Sequence, residues 1–172
     1  CIFNQEKKMK VSASGIQFIK DHEGLSLVAY PDANGYSIGY GHYGAVPGQV
    51  ITQGQADSFL KSDLNTVENV LNATMINFSQ NQFDALADFI FNVGQGNFQN
   101  STLLKFLKAG NYIDAVNELG KWIYSNGQQL PALIKRRADE AALFLKDDSS
   151  KIIIAIILFG IGVLMYSKSK KK

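Results

Sequence analysis

The chain has 172 residues, of which 46% are hydrophobic, so it is long enough for one compact domain with short appendages. Its formal net charge of +2 is unevenly spread: residues 11–148 carry nine Lys and Arg against fourteen Asp and Glu, a net of −5, whereas both ends are basic. This mildly acidic domain argues against a nucleic-acid-binding protein, and the single cysteine, Cys1, excludes an intrachain disulfide.

The first predicted elements are a helix and a small β-hairpin. Ser14 and Gln17 have the spacing of a capping box, and the helix that they open is expected to end at Gly24. From residue 25 to 43, apolar side chains alternate on both sides of a turn-forming run at residues 31–35. This pattern predicts two short antiparallel strands, followed by a loop at residues 44–54.

Helices dominate the rest of the chain. Two further capping boxes, at residues 52–55 and 79–82, each open a helix. The second of these helices is apolar nearly all round, so we expect it to be the central buried one. Further helices are predicted over residues 101–107, over 112–124, and from Pro131 to about residue 146. The order of elements is typical of an α+β domain with a small sheet near its N-terminus.

Two carboxylates nine positions apart, Glu23 and Asp32, are candidates for acid–base chemistry. Glu23 lies at a predicted helix C-terminus, where the helix dipole disfavours a negative charge, whereas Asp32 lies in a polar turn and is expected to stay ionised. Cleavage of a glycosidic bond requires two carboxyl groups in unlike environments. Taken singly, Glu23 is better explained as a solvated charge at a helix end and Asp32 as an ordinary turn residue, so the pair alone does not identify a site.

The wider pattern is more specific. Glu23-Gly-Leu, then Asp32, then Ser37-Ile-Gly-Tyr-Gly-His42 resembles the active-site signature of phage-type lysozymes, glycoside hydrolase family 24. The resemblance continues through residues 82–86, 91–94, 101–104 and 130–131 and through Trp122 and Arg136-Arg137, and it spans roughly residues 14–146. It implies an α+β lysozyme-like fold, with a small N-terminal β-hairpin lobe and a larger helical lobe, and it implies no cofactor.

The same resemblance implies hydrolysis of peptidoglycan at the β-1,4 bond between N-acetylmuramic acid and N-acetylglucosamine. Glu23 is then the general acid, and Asp32 activates water with inversion of the anomeric centre. Ser37 stands where a water-positioning Thr is usual. The family's substrate contacts fall on Tyr43, Phe91, Ser101 and Asn117.

Two departures from the family pattern motivate an alternative. Ser37 replaces the usual Thr, and it follows Asp32 by five residues rather than six, so the turn is one residue shorter. The alternative is a catalytically inactive, lysozyme-like structural membrane protein that binds peptidoglycan.

His42 has no second His at metal-ligand spacing, so we expect a buried or salt-bridged His and no metal site.

The C-terminal tail predicts a second function. Residues 152–166 carry no charge and span about 22 Å as a helix, less than the roughly 30 Å of a hydrocarbon core, although Lys151 and Lys168 can reach the headgroups. We therefore expect a single C-terminal transmembrane helix that contacts lipid through residues 151–167. The lysines after it predict that the C-terminus stays inside and that the domain faces the cell wall.

These features divide the chain into an N-terminal extension at residues 1–11, a lysozyme-like catalytic domain at 12–148, and a transmembrane helix with a basic tail at 149–172. They indicate a membrane-anchored muramidase, in a phage virion membrane or in the host inner membrane. Other interpretations of the tail are a core helix of an oligomer, an interfacial segment, and a membrane-permeabilising helix that the domain regulates.

Overall fold

The computed structural model describes residues 8–32 and 35–146, and in this part of the chain a small sheet precedes a group of helices. The helices are α1 (Ala13–Glu23), α2 (Gln53–Asn72), α3 (Gln80–Val93), α4 (Gln95–Gln99), α5 (Thr102–Lys108), α6 (Tyr112–Leu119) and α7 (Pro131–Phe144). The strands are β1 (Ser26–Asp32), β2 (Gly35–Gly39), β3 (His42–Tyr43), β4 (Tyr124–Ser125) and β5 (Gln128–Gln129).

The first helix begins earlier than its sequence predicts. Ser12, not Ser14, is the N-cap, and its Oγ accepts a 3.0 Å hydrogen bond from the backbone N–H of Gly15. The reason is tertiary, because the backbone N–H and hydroxyl of Ser12 both donate to the carboxylate of Asp84 on α3. Gln17 does not join a capping box and instead donates to Asp21. The predicted end at Gly24 is confirmed.

The predicted hairpin is present, and a third strand extends it. Strands β1, β2 and β3 form an antiparallel sheet in that order, with Tyr30 opposite Ser37 and Ser37 opposite Tyr43. The sheet approaches the helical lobe at Gly39, where a Cβ atom would lie 3.2 Å from the Cβ of Ala56 on α2. Gly39 has a φ of 68°, so both its conformation and this approach favour glycine.

Helix α3 is the core of the helical lobe, as its apolar sequence predicts. All residues from Phe83 to Ile90 are buried, and α3 packs against α1, α2 and α7. Both remaining capping boxes are confirmed, at Thr52 with Gln55 and at Ser79 with Gln82. Pro131 opens α7 at its first turn.

The predicted helix over 112–124 is too long. Helix α6 ends at Leu119, and residues 124 to 129 form a β-hairpin whose turn contains Asn126 and Gly127 with φ values of 50° and 76°. An Asn-Gly pair suits such a turn because both positions need positive φ. The short helix α4 has no counterpart among the sequence predictions.

The predicted transmembrane helix at residues 152–166 lies outside the described residues. Within residues 8–32 and 35–146, no helix has both the length and the apolar character that a membrane crossing needs.

Candidate active site

Glu23 ends α1 at the junction between the sheet and the helices. Its side chain is 19% exposed, and its Oε1 lies 2.7 Å from Nη2 of Arg136 on α7. Its Oε2 faces the other lobe, since a Cβ atom at Gly41 would lie 3.5 Å from it. One oxygen is therefore tied to the helical lobe, while the other is directed toward the loop between β2 and β3.

Arg136 is itself held by a buried carboxylate. Its Nε and Nη2 donate to the two oxygens of Asp88 on α3 at 3.0 and 2.7 Å, a bidentate pair. Burial lowers the pKa of Arg136, but the charges of Asp88 and Glu23 outweigh it, so the pKa is raised and the guanidinium stays charged. The sequence does not indicate the contact between Arg136 and Glu23.

A second layer of charge lies behind Arg136. Arg137 and Glu140 are fully buried and form a 2.7 Å ion pair, and Arg137 also donates to Asn92. Burial raises the pKa of Glu140 well above its usual value; the nearby carboxylate of Asp88 acts in the same direction, and the two guanidinium groups oppose it. The site therefore rests on a buried polar network within the helical lobe.

Asp32 and Ser37 are joined across β1 and β2. Ser37 is fully buried, and its Oγ donates a 2.6 Å hydrogen bond to Oδ2 of Asp32, which is exposed. Tyr30 lies opposite Ser37, and Gly35 lies opposite Asp32. The hydroxyl thus orients the carboxylate even though the turn is short and the side chain lacks the methyl group of Thr.

Tyr30 lies on β1, opposite Ser37. Burial raises the pKa of its phenol, and the negative charges of Asp32 and Glu23 act in the same direction, while the hydroxyl of Ser37 opposes them. Both carboxylates therefore lie within electrostatic reach of one phenol.

Tyr43 is the one predicted substrate contact that lies on the sheet. It is 57% exposed and pairs with Ser37, and a Cβ atom at Gly35 would lie 2.6 Å from its Oη. Its ring therefore lies against Gly35, the residue that pairs with Asp32. The structure brings Glu23, Asp32, Ser37 and Tyr43 to the same region.

The other three predicted contacts lie on the helical lobe. Phe91 is partly buried on α3, and Asn117 is exposed on α6. Ser101 is the N-cap of α5, where its Oγ donates to the carbonyl of Phe98 at 2.7 Å and accepts from the N–H of Leu104 at 3.0 Å. A substrate contact through Ser101 would therefore compete with a helix cap.

The two histidines have structural partners. His42 lies 2.8 Å from Asp63 and stacks on Phe59 at a centroid distance of 4.4 Å, so it has a carboxylate partner and not a metal-ligand set. His22, the residue before Glu23, lies between Asp88 and Asp139. In the described ranges, no cluster of three or more His, Cys, Asp and Glu side chains is placed to hold a metal ion.

Comparisons with known proteins identify similar chains. The family described as Phage lysozyme matches residues 20–140. The endolysin of Bacillus phage B103 is 43% identical over 150 residues, 84% of this chain and 57% of that protein, so the chain spans just over half of this relative. The endolysin of Salmonella phage P22 is 37% identical over 145 residues, which cover 80% of this chain and 99% of that protein.

A solved structure supports the same fold. The muramidase domain of SpmX from Asticaccaulis excentricus is 38% identical and superimposes with a TM-score of 0.75, covering 79% of this chain and 97% of that chain. This similarity confirms the two-lobed α+β fold that the sequence predicts.

Proposed function

Because the chain belongs to the phage lysozyme family, we propose that it is a muramidase, a glycoside hydrolase that cleaves peptidoglycan. The bond cleaved is the β-1,4 bond between N-acetylmuramic acid and N-acetylglucosamine. The observation that carries the proposal is that the two carboxylates have different partners: Oε1 of Glu23 lies 2.7 Å from Nη2 of Arg136, whereas Oδ2 of Asp32 accepts a 2.6 Å hydrogen bond from Ser37. Two carboxyl groups in different environments can serve as acid and base on opposite sides of a glycosidic bond.

Glu23 is the general acid in this proposal. Nη2 of Arg136 lies 2.7 Å from Oε1, so a proton on that oxygen would lie next to the positive charge of the guanidinium. The transferable proton therefore resides on Oε2, which is directed toward Gly41 and the sheet. From there it passes to the glycosidic oxygen as the bond to the leaving sugar breaks.

Asp32 activates the attacking water. Ser37 occupies Oδ2, which leaves Oδ1 as the oxygen that we assign to the water. Removing a proton from the water as it attacks the anomeric carbon inverts the configuration there and forms no covalent sugar intermediate. Tyr43, exposed beside the Asp32 turn, is placed to contact a sugar ring; Phe91, Ser101 and Asn117 are proposed contacts for more distant sugars.

The tail is proposed to anchor the enzyme in a membrane. Residues 152–166 carry no charge, and Lys151 and Lys168 flank them. A span with its lysines on the inner side places the domain toward the cell wall and raises its concentration near the substrate. Both a virion membrane and a host inner membrane are consistent with this arrangement.

The decisive experiment treats purified peptidoglycan with the whole chain in detergent, reduces the products with borohydride and identifies them by mass spectrometry. Muramidase action yields muramitol at the new reducing ends. Glu23→Gln and Asp32→Asn are each expected to lower the rate about a hundredfold or more. Glu118→Gln is the matched control, because Glu118 lies on α6 and its partner is Lys121. This variant is expected to cleave like the wild type.

Two results would refute the proposal. Glucosaminitol at the new ends would identify a different glycosidase. Sedimentation of the chain with peptidoglycan, without any new reducing ends, would identify the inactive binding protein considered above.

A further inference from the structure

His22 lies directly before the proposed acid and is enclosed by two carboxylates. Its Nδ1 lies 3.1 Å from Oδ2 of Asp88 on α3, and its Nε2 lies 3.1 Å from Oδ2 of Asp139 on α7. Phe18 packs its ring edge against the imidazole at 4.6 Å, and the side chain of His22 is only 12% exposed. The ring therefore joins the end of α1 to two other helices.

The double contact determines the protonation state of the ring. An ionised carboxylate only accepts hydrogen bonds, and a neutral imidazole carries a single N–H, so only the imidazolium donates to both neighbours. Burial lowers the pKa of His22, but the hydrogen bonds and charge of Asp88, together with the bond to Asp139, outweigh it, and the pKa is raised. The two contacts and the raised pKa therefore both favour the protonated ring.

A short chain of contacts connects His22 with Glu23. Oδ2 of Asp88 is shared by His22 Nδ1 and Arg136 Nε, and Nη2 of the same guanidinium lies 2.7 Å from Glu23 Oε1. The imidazolium therefore offsets part of the negative charge of Asp88. Without it, Asp88 would compete more strongly with Glu23 for the guanidinium of Arg136. It also holds the backbone at the residue before Glu23 against α7 through Asp139.

We propose that His22 is a positioning residue that, as the imidazolium, holds the end of α1 between α3 and α7 and so keeps Glu23 oriented for proton transfer. This inference rests on the muramidase activity proposed above. Loss of the ring proton leaves a nitrogen lone pair facing a carboxylate, which loosens one of the two contacts. The positioned fraction of Glu23 then falls, and kcat falls with it while substrate binding is little affected.

The charges around the ring set the direction of this pH effect. Asp88 and Asp139 favour the proton, and Arg136 opposes it. Lys135 forms an ion pair with Asp139, so it shares this carboxylate with His22. Because the carboxylates prevail, the positioned state is full in mildly acidic solution and is lost as pH rises through the raised pKa of His22.

The first test measures His22 by NMR in the whole chain, in detergent and without substrate. The chain has only two histidines, so His42→Gln assigns the signals. We expect both ring nitrogens of His22 to be protonated at pH 6.5, with a titration midpoint above this ordinary value. Asp139→Asn should lower the midpoint, because an amide can donate to the free lone pair of a neutral ring. A midpoint at or below 6.5 in the wild type overturns the proposal.

The second test compares the pH dependence of kcat and KM on peptidoglycan fragments. His22→Gln should lower kcat about tenfold at pH 6, change KM by less than about twofold, and remove the step in kcat that follows the His22 titration. Asp139→Asn should move that step to lower pH. His42→Gln, a histidine with one carboxylate partner in the sheet lobe, should leave the position of the step unchanged.

The outcomes separate the two proposals. A step in kcat that is identical in the wild type and Asp139→Asn overturns the positioning role, even if His22→Gln does not fold. Absence of cleavage by the wild type refutes the muramidase proposal and leaves the NMR midpoint as the measure of the contacts around His22.

Discussion

Nη2 of Arg136 lies 2.7 Å from Oε1 of Glu23 and 2.7 Å from Oδ1 of Asp88, so one guanidinium nitrogen binds the proposed acid and a fully buried carboxylate. The contact joins the last residue of α1 to α7 across the interior of the helical lobe. Glu23 thus has a fixed cation beside it, which opposes the negative end of its own helix.

Removing the guanidinium of Arg136 should lower the stability of the fold. Arg136→Met leaves Asp88 buried without its bidentate partner, so the free energy of unfolding should fall by about 3–5 kcal/mol. Lys135→Met, one position earlier on α7, removes an exposed partner of Asp139 and should cost less than about 1 kcal/mol. Urea denaturation of both variants measures the difference. Equal losses would mean that the buried pair contributes no more than a surface pair.

Activity should require a hydroxyl at position 37, which either Ser or Thr can supply. Ser37→Ala removes the 2.6 Å bond to Asp32 and should lower kcat about tenfold or more, because the carboxylate loses its orientation. Ser37→Thr keeps the hydroxyl and should retain activity within about threefold if the buried site accommodates the methyl group. Full activity of Ser37→Ala would show that Asp32 needs no such partner.

The proposed role of Asp32 determines the stereochemistry of the product. Water activated by Asp32 attacks opposite the leaving sugar, so the first-formed reducing end should have the α configuration. Proton NMR of the anomeric signals during the first minutes of hydrolysis, before mutarotation, distinguishes α from β. A β product would assign Asp32 as a nucleophile instead of a base.

Stability should decline on the alkaline side because of buried groups behind the site. The pKa of Glu140 is raised in the folded state, so its contribution to the free energy of unfolding is full below its ordinary pKa of 4.5 and is lost as pH rises through the folded-state pKa. The pKa of His22 is also raised, so its contribution is lost in the same way as pH rises above its ordinary pKa of 6.5. The lowered pKa of Asp88 acts oppositely, because its contribution is present above 3.8 and is lost as pH falls through the folded-state value. The melting temperature should therefore be highest in mildly acidic solution.

Glu140→Gln tests the sign of this alkaline effect. The amide does not titrate, so the stability of the variant relative to the wild type should improve steadily from pH 4.5 to pH 8. Melting temperatures of both proteins across this range provide the comparison. A relative stability that worsens with pH would mean that Glu140 is ionised in its pair with Arg137.

The apolar tail should hold the chain on lipid vesicles. Ile157→Lys with Leu158→Lys places two charges within residues 152–166, each costing about 2.5–3.5 kcal/mol at the centre of a bilayer, and should abolish co-flotation with vesicles. Met75→Lys adds a charge at a side chain on the domain surface that is 83% exposed, and should not change flotation. Flotation of the double variant would assign membrane binding to another surface.

Local signals predicted much of the helical framework. The caps at Thr52 and Ser79, the stop at Gly24 and the proline at the start of α7 depend on residues within a few positions of one another, so they can be recognised from sequence. One prediction was wrong because a distant residue decides: Asp84 on α3 selects Ser12 as the cap of α1. Another was wrong although the signal is local, because the Asn126-Gly127 turn forms a hairpin within a few residues of Leu119, where α6 ends.

By itself, the sequence determined the order of the elements, the buried character of α3 and the pair of carboxylates within one short motif, because each is written in the spacing of near neighbours. Only the tertiary structure decided which side chains contact those carboxylates and their neighbours: Arg136 at Glu23, Ser37 at Asp32, and two acidic side chains at His22. These partners come from different strands and helices, and their distances depend on how α1, α3, α7 and the sheet pack. Electrostatic interactions depend on distance in space and on burial, neither of which is a property of position along the chain.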